Sequence, residues 1–213
     1  MSASDQLIHK ASRCGVIPTL VIEDVSNAIP LAQALHDGGL TVLEITLRTP
    51  VALQAIQQIR QALPDLFVGA GTVLDARAAE AAQDAGAQFL VSPGYTAALG
   101  DYCRSKHIAL MPGVATASEI MSALADGYDF LKCFPAAALG GARWLDAIRG
   151  PFPDVRFCPT GGISAADAGS YLSLPNVLCV GGSWVTPAAA VREKDWAHIT
   201  TLARQAYEAR VST

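Results

Sequence analysis

The chain of 213 residues is 51% hydrophobic and 16% charged, which indicates a globular protein with a substantial core and excludes a disordered chain. Its formal net charge of −4 comes without any basic stretch, so nucleic acids and anionic membrane surfaces are excluded as expected partners. The N-terminal segment lacks the apolar core of a signal peptide, and no apolar run is long enough to cross a bilayer. We therefore expect a soluble cytoplasmic protein.

Short β-branched apolar runs alternate with alanine-rich amphipathic segments along the chain. The apolar runs predict eight strands, at Val16–Ile22, Thr41–Leu47, Phe67–Ala70, Gln88–Val91, Ala109–Met111, Asp129–Phe134, Arg156–Cys158 and Val177–Val180. The amphipathic segments predict eight helices, at Val25–Asp37, Val51–Ala62, Ala76–Ala85, Thr96–Ser105, Ala117–Ala125, Ala142–Ile148, Ala165–Tyr171 and Asp195–Arg210. Asp24, Asp75 and Thr116 precede predicted helices and are suited to cap them.

Eight strands, each followed by a helix, are typical of a (β/α)₈ TIM barrel. We therefore predict an α/β protein in which residues 1–213 form a single TIM-barrel domain, with an extra N-terminal helix before Val16. A doubly wound open sheet is the alternative. It normally has fewer strands at this length, and the first strand is not followed by a G-x-G-x-x-G fingerprint.

The five cysteines are odd in number, and three of them fall in apolar strand-like runs. This pattern favours reduced cysteines in the core over a disulfide framework. A nucleophilic role for Cys133 or Cys158 is disfavoured, because apolar surroundings raise the pKa of a thiol.

Lys132 lies within an apolar run that predicts a strand. Alternation along the strand places it on the same face as Phe130 and Phe134, so its ammonium group would be buried. One interpretation is that Lys132 extends to solvent at the strand end. The other is that burial favours the neutral amine, which is a nucleophile able to form a Schiff base with a carbonyl compound.

The second predicted strand places Glu44 and Arg48 on one face and its leucines and isoleucine on the other. In a TIM barrel the second and sixth strands contribute to the same interior layer, so we expect Glu44 near Lys132. The pair is either an internal ion pair that fixes the fold or part of an active site. A carboxylate beside a reactive lysine can carry out proton transfers, and Arg48 can bind a substrate carboxylate.

Two glycine-rich loops follow the last two predicted strands, at residues 159–164 and 180–184. TIM barrels frequently bind phosphate in these loops, because glycines let backbone N–H groups approach an anion. We predict that the phosphate donors are Gly161, Gly162, Gly182 and Ser183. A third glycine segment contains Gly71 and Thr72, which bind a carboxylate or simply allow a tight turn. The four histidines lack the spacing of metal ligands, so no metal site is expected.

These motifs together resemble the 2-keto-3-deoxy-6-phosphogluconate (KDPG) aldolases, which are class I pyruvate aldolases of the Entner–Doudoroff pathway. The resemblance covers nearly the whole chain in order, at Leu43–Thr49, Val68–Leu74, Gly86–Phe89, Ser92–Gly94, Met111–Val114, Phe130–Ala136, Gly150–Phe152, Val155–Ile163 and Val177–Trp184. One region departs from the family pattern: some relatives carry a basic residue near the end of the first strand, whereas residues 14–20 contain none.

The resemblance implies a lyase without a cofactor that cleaves KDPG to pyruvate and D-glyceraldehyde 3-phosphate, and possible cleavage of 4-hydroxy-2-oxoglutarate. It implies that Lys132 forms the Schiff base and that Glu44 is the general acid and base. The substrate-binding residues that it implies are Arg48, Thr72, Pro93, Phe134 and Thr160. Arg48 and Thr72 would hold the pyruvate carboxylate, and the family is typically a homotrimer.

Alternative functions remain open from the sequence. One is an aldolase for the galactonate epimer of KDPG. Another is a phosphosugar isomerase or epimerase, with Glu44 as the base and Lys132 as an electrostatic stabiliser. The last is a phosphosugar-binding protein without activity.

Overall fold

Helices and strands alternate in the computed structural model, which describes residues 2–211 and the side chains of residues 2–209. The strands are β1 Val16–Leu20, β2 Val42–Thr46, β3 Phe67–Gly71, β4 Phe89–Val91, β5 Leu110–Met111, β6 Gly113–Val114, β7 Phe130–Cys133, β8 Arg156–Pro159 and β9 Val180–Gly182. The helices are α1 Ala3–Cys14, α2 Ala28–Asp37, α3 Ala52–Ala62, α4 Ala76–Asp84, α5 Ala97–Ser105, α6 Ala117–Ala125, α7 Ala142–Arg149, α8 Ala165–Leu172, α9 Ala188–Glu193 and α10 Trp196–Val211.

Side-chain caps fix several of the predicted helix starts. The Asp75 carboxylate accepts a hydrogen bond from the backbone N–H of Ala78 at 2.8 Å, and Thr116 forms a capping box with Glu119. Asp24 caps a short 3₁₀ helix, Val25–Asn27, which precedes α2. The predicted N-terminal helix is present as α1, whereas the short helix α9 was not predicted.

The closed eight-stranded TIM barrel predicted from the sequence is wrong, although the α/β class is correct. Six parallel strands form one sheet in the order β5-β4-β3-β2-β1-β9, and β6-β7-β8 form a separate three-stranded parallel sheet. The predicted fifth strand is present as β5, and β6, which was not predicted, follows it after Pro112. The two strands join different sheets, because proline has no N–H to continue a ladder. At the other junction, only isolated bridges link the β8 region to the segment that contains β9, Phe157 with Val177 and Thr160 with Gly181.

The strands of both sheets are buried, and their apolar side chains join one hydrophobic cluster with the inner faces of the helices. All five cysteines are buried. None of the helices in residues 2–211 is long and apolar enough to cross a membrane. Because all strands within each sheet are parallel, their carboxyl ends lie at a common edge, where ligand sites of α/β proteins usually form.

Candidate active site

A buried ion pair between the two sheets forms the centre of the site. The Nζ atom of Lys132 on β7 donates a hydrogen bond to Oε1 of Glu44 on β2 at 3.1 Å. Lys132 is 5% exposed and Glu44 is 1% exposed. The prediction that these two side chains lie together is therefore confirmed as geometry. A carboxylate within hydrogen-bond distance of an amine can accept its proton, which is what a lysine nucleophile requires.

The neighbours of Lys132 leave it few alternative positions. Its backbone N–H donates to the carbonyl of Pro112 at 2.9 Å, and β7 pairs with β6 so that Lys132 lies beside Gly113. The ammonium nitrogen lies 5.5 Å from the centroid of the Phe134 ring, a cation–π distance. Phe134 therefore covers the amine from the side of the loop that follows β7.

Gly71 at the end of β3 provides the space that Glu44 occupies. A Cβ atom at Gly71 would lie 2.1 Å from Oε1 of Glu44 and 2.7 Å from its Cδ and Cγ atoms. No side chain larger than hydrogen fits there while Glu44 keeps its position. The structure thus gives Gly71 the role of admitting the carboxylate.

Arg48 and Thr72 lie together in the turns that follow β2 and β3. The Arg48 Nε donates to the Thr72 hydroxyl at 3.2 Å, and the Arg48 side chain is exposed. Thr72 has a φ angle of 60°, which is strained for a β-branched residue. Such strain is typical of functional sites, and the guanidinium group beside a hydroxyl is suited to bind a carboxylate.

Pro93 lies in the loop after β4, close to strand β6, which pairs with the strand that carries Lys132. A Cβ atom at Gly113 would lie 2.3 Å from the carbonyl group of Pro93, so the loop approaches β6 closely. The Ser92 hydroxyl donates to the carbonyl of Gly94 at 2.6 Å and fixes the turn around Pro93. The predicted pocket-forming proline is therefore adjacent to Gly113, the register partner of Lys132.

The two glycine-rich loops also come together. Thr160 on the first loop pairs with Gly181 in β9, directly before Gly182 and Ser183 of the second loop. Gly161 and Gly162 have φ angles of 100° and 76°, which only glycine adopts without strain. Successive backbone N–H groups in such turns can form a concave anion site.

A cavity of about 750 Å³ opens beside the carboxyl ends of β1 and β9. Its lining includes Ser183 and also Thr19, a residue that was not predicted to take part in the site. Thr19 is paired in register with Glu44, and its hydroxyl oxygen is buried. The sequence signal that could have identified it is a threonine at an inward-facing position of an otherwise apolar strand.

The described residues provide neither a cluster of metal ligands nor a reactive thiol at Cys133. Among the described residues, no group of three or more His, Cys, Asp or Glu side chains could hold a metal ion. Cys133 lies on the opposite face of β7 from Lys132. Burial raises the pKa of the Cys133 thiol to about 12, and the nearby Cys158 thiol acts in the same direction. Cys133 is therefore protonated at neutral pH and is a poor nucleophile.

The chain is similar in sequence and fold to known aldolases. The family model described as "KDPG and KHG aldolase" matches residues 7–202. The 2-dehydro-3-deoxy-phosphogluconate aldolase of Pseudoalteromonas atlantica is 52% identical over 191 residues, which cover 90% of this chain and 89% of the relative.

Two solved structures that are similar to this chain contain bound ligands. The KDPG aldolase of Legionella pneumophila, with pyruvate captured as a covalent carbinolamine intermediate, has a TM-score of 0.90 and 47% identity, covering 92% of this chain and 96% of its own. The KDPG aldolase of Zymomonas mobilis with 3-phosphoglycerate has a TM-score of 0.89 and 50% identity, covering 93% of this chain and 94% of its own.

Proposed function

Because the chain belongs to the KDPG and KHG aldolase family, we propose that it cleaves KDPG to pyruvate and D-glyceraldehyde 3-phosphate through a Schiff base on Lys132. The observation that carries this proposal is the buried hydrogen bond of 3.1 Å between Lys132 Nζ and Glu44 Oε1. This contact supports the proposal, because a lysine nucleophile needs a proton acceptor within hydrogen-bond distance of its nitrogen.

Formation of the Schiff base uses both members of the pair. Glu44 accepts a proton from Lys132, and the neutral amine attacks the 2-keto carbon of the substrate to give a carbinolamine. Glu44 then returns the proton to the hydroxyl group, which leaves as water and produces an iminium ion. The Legionella relative holds pyruvate as a carbinolamine, which supports this step.

Carbon–carbon cleavage uses the iminium ion as an electron sink. Glu44, directly or through a water molecule, takes the proton of the 4-hydroxyl group. The C3–C4 bond breaks, its electron pair forms an enamine, and D-glyceraldehyde 3-phosphate leaves. Protonation of the enamine at C3 by Glu44 regenerates the carboxylate. Water then hydrolyses the iminium ion, pyruvate leaves, and Lys132 returns to the ammonium form beside the Glu44 carboxylate.

The remaining predicted residues have positions that suit substrate binding. In this proposal Arg48 and Thr72 bind the pyruvate carboxylate, and Pro93 and Phe134 shape the pocket around C2 and C3. The distal half is bound by Thr160 at its hydroxyl region and by four phosphate donors, Gly161, Gly162, Gly182 and Ser183. The contact between the Thr160 and Gly181 backbones supports the two loops acting on one phosphate.

Reductive trapping tests the Schiff base. Incubation with pyruvate and borohydride is expected to leave a reduced pyruvate adduct on the peptide that contains Lys132. Lys132→Met should abolish trapping, whereas Lys106→Met, which changes an exposed lysine, should leave it unchanged. Absence of an adduct from the wild-type protein would contradict the proposal and favour an isomerase or epimerase, in which Lys132 acts only electrostatically.

Turnover separates the role of Glu44 from that of Lys132. Glu44→Gln is expected to retain trapping of pyruvate over long incubation but to lose roughly 10²–10⁴-fold in kcat, the usual contribution of acid–base catalysis. Near-normal turnover of the variant would remove Glu44 from the mechanism.

Pyruvate release coupled to lactate dehydrogenase should be measured with both epimers, gluconate and galactonate, and with 4-hydroxy-2-oxoglutarate. We expect the gluconate form to be preferred.

We also propose that residues 1–213 act as a single catalytic domain, in a homotrimer located in the cytoplasm. The single hydrophobic cluster that joins both sheets supports one domain. The trimer is what similarity to the family implies, and light scattering after size-exclusion chromatography tests it. A monomeric mass in that measurement would contradict the trimer without affecting the proposed chemistry.

A further inference from the structure

Thr19 carries a polar atom that the folded chain leaves unused. Its Oγ1 atom is buried and, within residues 2–209, has no hydrogen-bond partner. Burial of a hydroxyl group without a partner opposes folding, whereas a methyl group of the same shape would not. Such a group in a folded protein calls for an explanation, and binding of a ligand is one.

The position of Thr19 relates it to both ends of the proposed substrate site. On β1 it is the register partner of Glu44, so the two side chains lie on the same side of the sheet. It also lines the 750 Å³ cavity together with Ser183. Thr19 is thus a strand neighbour of Glu44 and shares a cavity wall with Ser183 of the loop proposed to bind the phosphate.

One polar group of the substrate, the 5-hydroxyl, has no partner in the proposed mechanism. In the proposed mechanism Glu44 and Thr160 act at the 4-hydroxyl, and the glycine loops bind the phosphate. The 5-hydroxyl lies between them along the carbon chain. A threonine hydroxyl can donate to another hydroxyl group or accept from it.

We propose that Thr19 is a specificity-determining residue that hydrogen-bonds the 5-hydroxyl of the substrate, an inference that rests on the proposed aldolase function. In the direction of synthesis, this group is the 2-hydroxyl of D-glyceraldehyde 3-phosphate. Thr19 thus selects phosphorylated aldehydes that carry a hydroxyl next to the carbonyl. It has no part in Schiff-base formation with pyruvate.

Two acceptor aldehydes test the assignment. D-Glyceraldehyde 3-phosphate carries the hydroxyl, and 3-oxopropyl phosphate lacks only that group. The ratio of kcat/KM for the two aldehydes, each with pyruvate, is measured for the wild type, Thr19→Val and Thr19→Ser. Because the ratio is taken on one preparation, it does not depend on the fraction of each variant that is correctly folded.

Loss of one hydrogen bond is expected to reduce the preference of Thr19→Val for D-glyceraldehyde 3-phosphate by about tenfold, with Thr19→Ser close to wild type. Exchange of the pyruvate methyl protons with deuterium, which needs only the pyruvate half of the site, should be unchanged in Thr19→Val. An unchanged aldehyde ratio in Thr19→Val overturns the assignment. Failure of the wild type to exchange pyruvate protons or form any aldol product would instead contradict the proposed function itself.

Discussion

Replacement of Gly71 by alanine is expected to displace the Glu44 carboxylate and so to disable catalysis while the fold is retained. The new Cβ atom would lie 2.1 Å from Glu44 Oε1, whereas ordinary contacts begin at 3.4 Å. Relief of the overlap requires the carboxylate to move by about 1.3 Å if the backbone stays in place. Because Oε1 is the atom that Lys132 contacts, the movement disrupts the pair.

The size of this movement sets the expected effect. Misplacement of a catalytic group by about 1 Å can cost roughly 10²-fold in rate, so we expect kcat for KDPG cleavage to fall about 10²-fold. The upper limit is roughly 10⁴-fold, the largest usual contribution of acid–base catalysis. Overpacking is also expected to reduce the free energy of unfolding by about 1–3 kcal/mol, which leaves a folded protein if the wild type has ordinary stability.

Pyruvate release coupled to lactate dehydrogenase measures kcat, and urea denaturation measures stability. Gly169→Ala is the matched control, because Gly169 lies in helix α8 and a Cβ atom there meets nothing within 4 Å. It should retain wild-type kcat and gain about 0.5–1 kcal/mol of stability from its higher helix propensity.

A double variant decides whether Gly71 acts through Glu44. In the Glu44→Gln background, where the acid–base group is already absent, Gly71→Ala should reduce kcat much less than it does in the wild type. An equal reduction in both backgrounds, or near-normal kcat of Gly71→Ala alone, would refute the reasoning.

Three further predictions concern other parts of the chain. Thr72→Gly should stabilise the protein by about 1 kcal/mol by removing backbone strain, and should raise KM because Arg48 loses the hydroxyl it contacts; a lower urea midpoint would contradict this. Cys133 should resist iodoacetamide in the native protein at pH 8 and react after unfolding, as seen by peptide mass analysis, because burial raises its pKa to about 12; native labelling would contradict it. Burial raises the pKa of Tyr128 from 10.0 to about 12, so the unfolded chain loses this proton first. Stability should therefore fall between pH 10 and 12 by up to about 1.4 kcal/mol per unit from this group, and Tyr128→Phe should show a smaller slope in urea denaturation; an unchanged slope would argue against burial as the cause.

The central pair of the site could be predicted from the sequence because its signals are local. Lys132 and Glu44 are charged residues at alternate positions of apolar strands, and alternation alone places them inward. The tight turn at Gly161 and Gly162 follows the same logic, since its positive φ angles depend on glycines adjacent in sequence. Each of the eight predicted strands overlaps an observed strand for the same reason, whereas the short strand β6 was not predicted.

The same signals could not show that the strands form two separate sheets and do not close into a barrel. Whether neighbouring strands form a continuous ladder depends on hydrogen bonds between distant segments, and alternation says nothing about them. Pro112 is the one local sign, because it interrupts the run from Leu110 to Val114, yet a proline also occurs at Pro18 inside β1 without breaking that strand. The proposed roles of Gly71 and Thr19 likewise rest on their positions beside Glu44 on neighbouring strands, which only the folded structure reveals.

The position of the ion pair favours the proposed chemistry over stability as the reason for the pair. Lys132 and Glu44 lie on different sheets, and one could suppose that their attraction holds the sheets together. A buried ion pair is a poor device for that purpose, because desolvation of two charges offsets most of the attraction, and apolar residues of similar size often stabilise as well or better. The apolar cluster already spans both sheets. In the proposed mechanism the two charges, with Gly71 admitting one of them, serve the proton transfers that a lysine nucleophile requires.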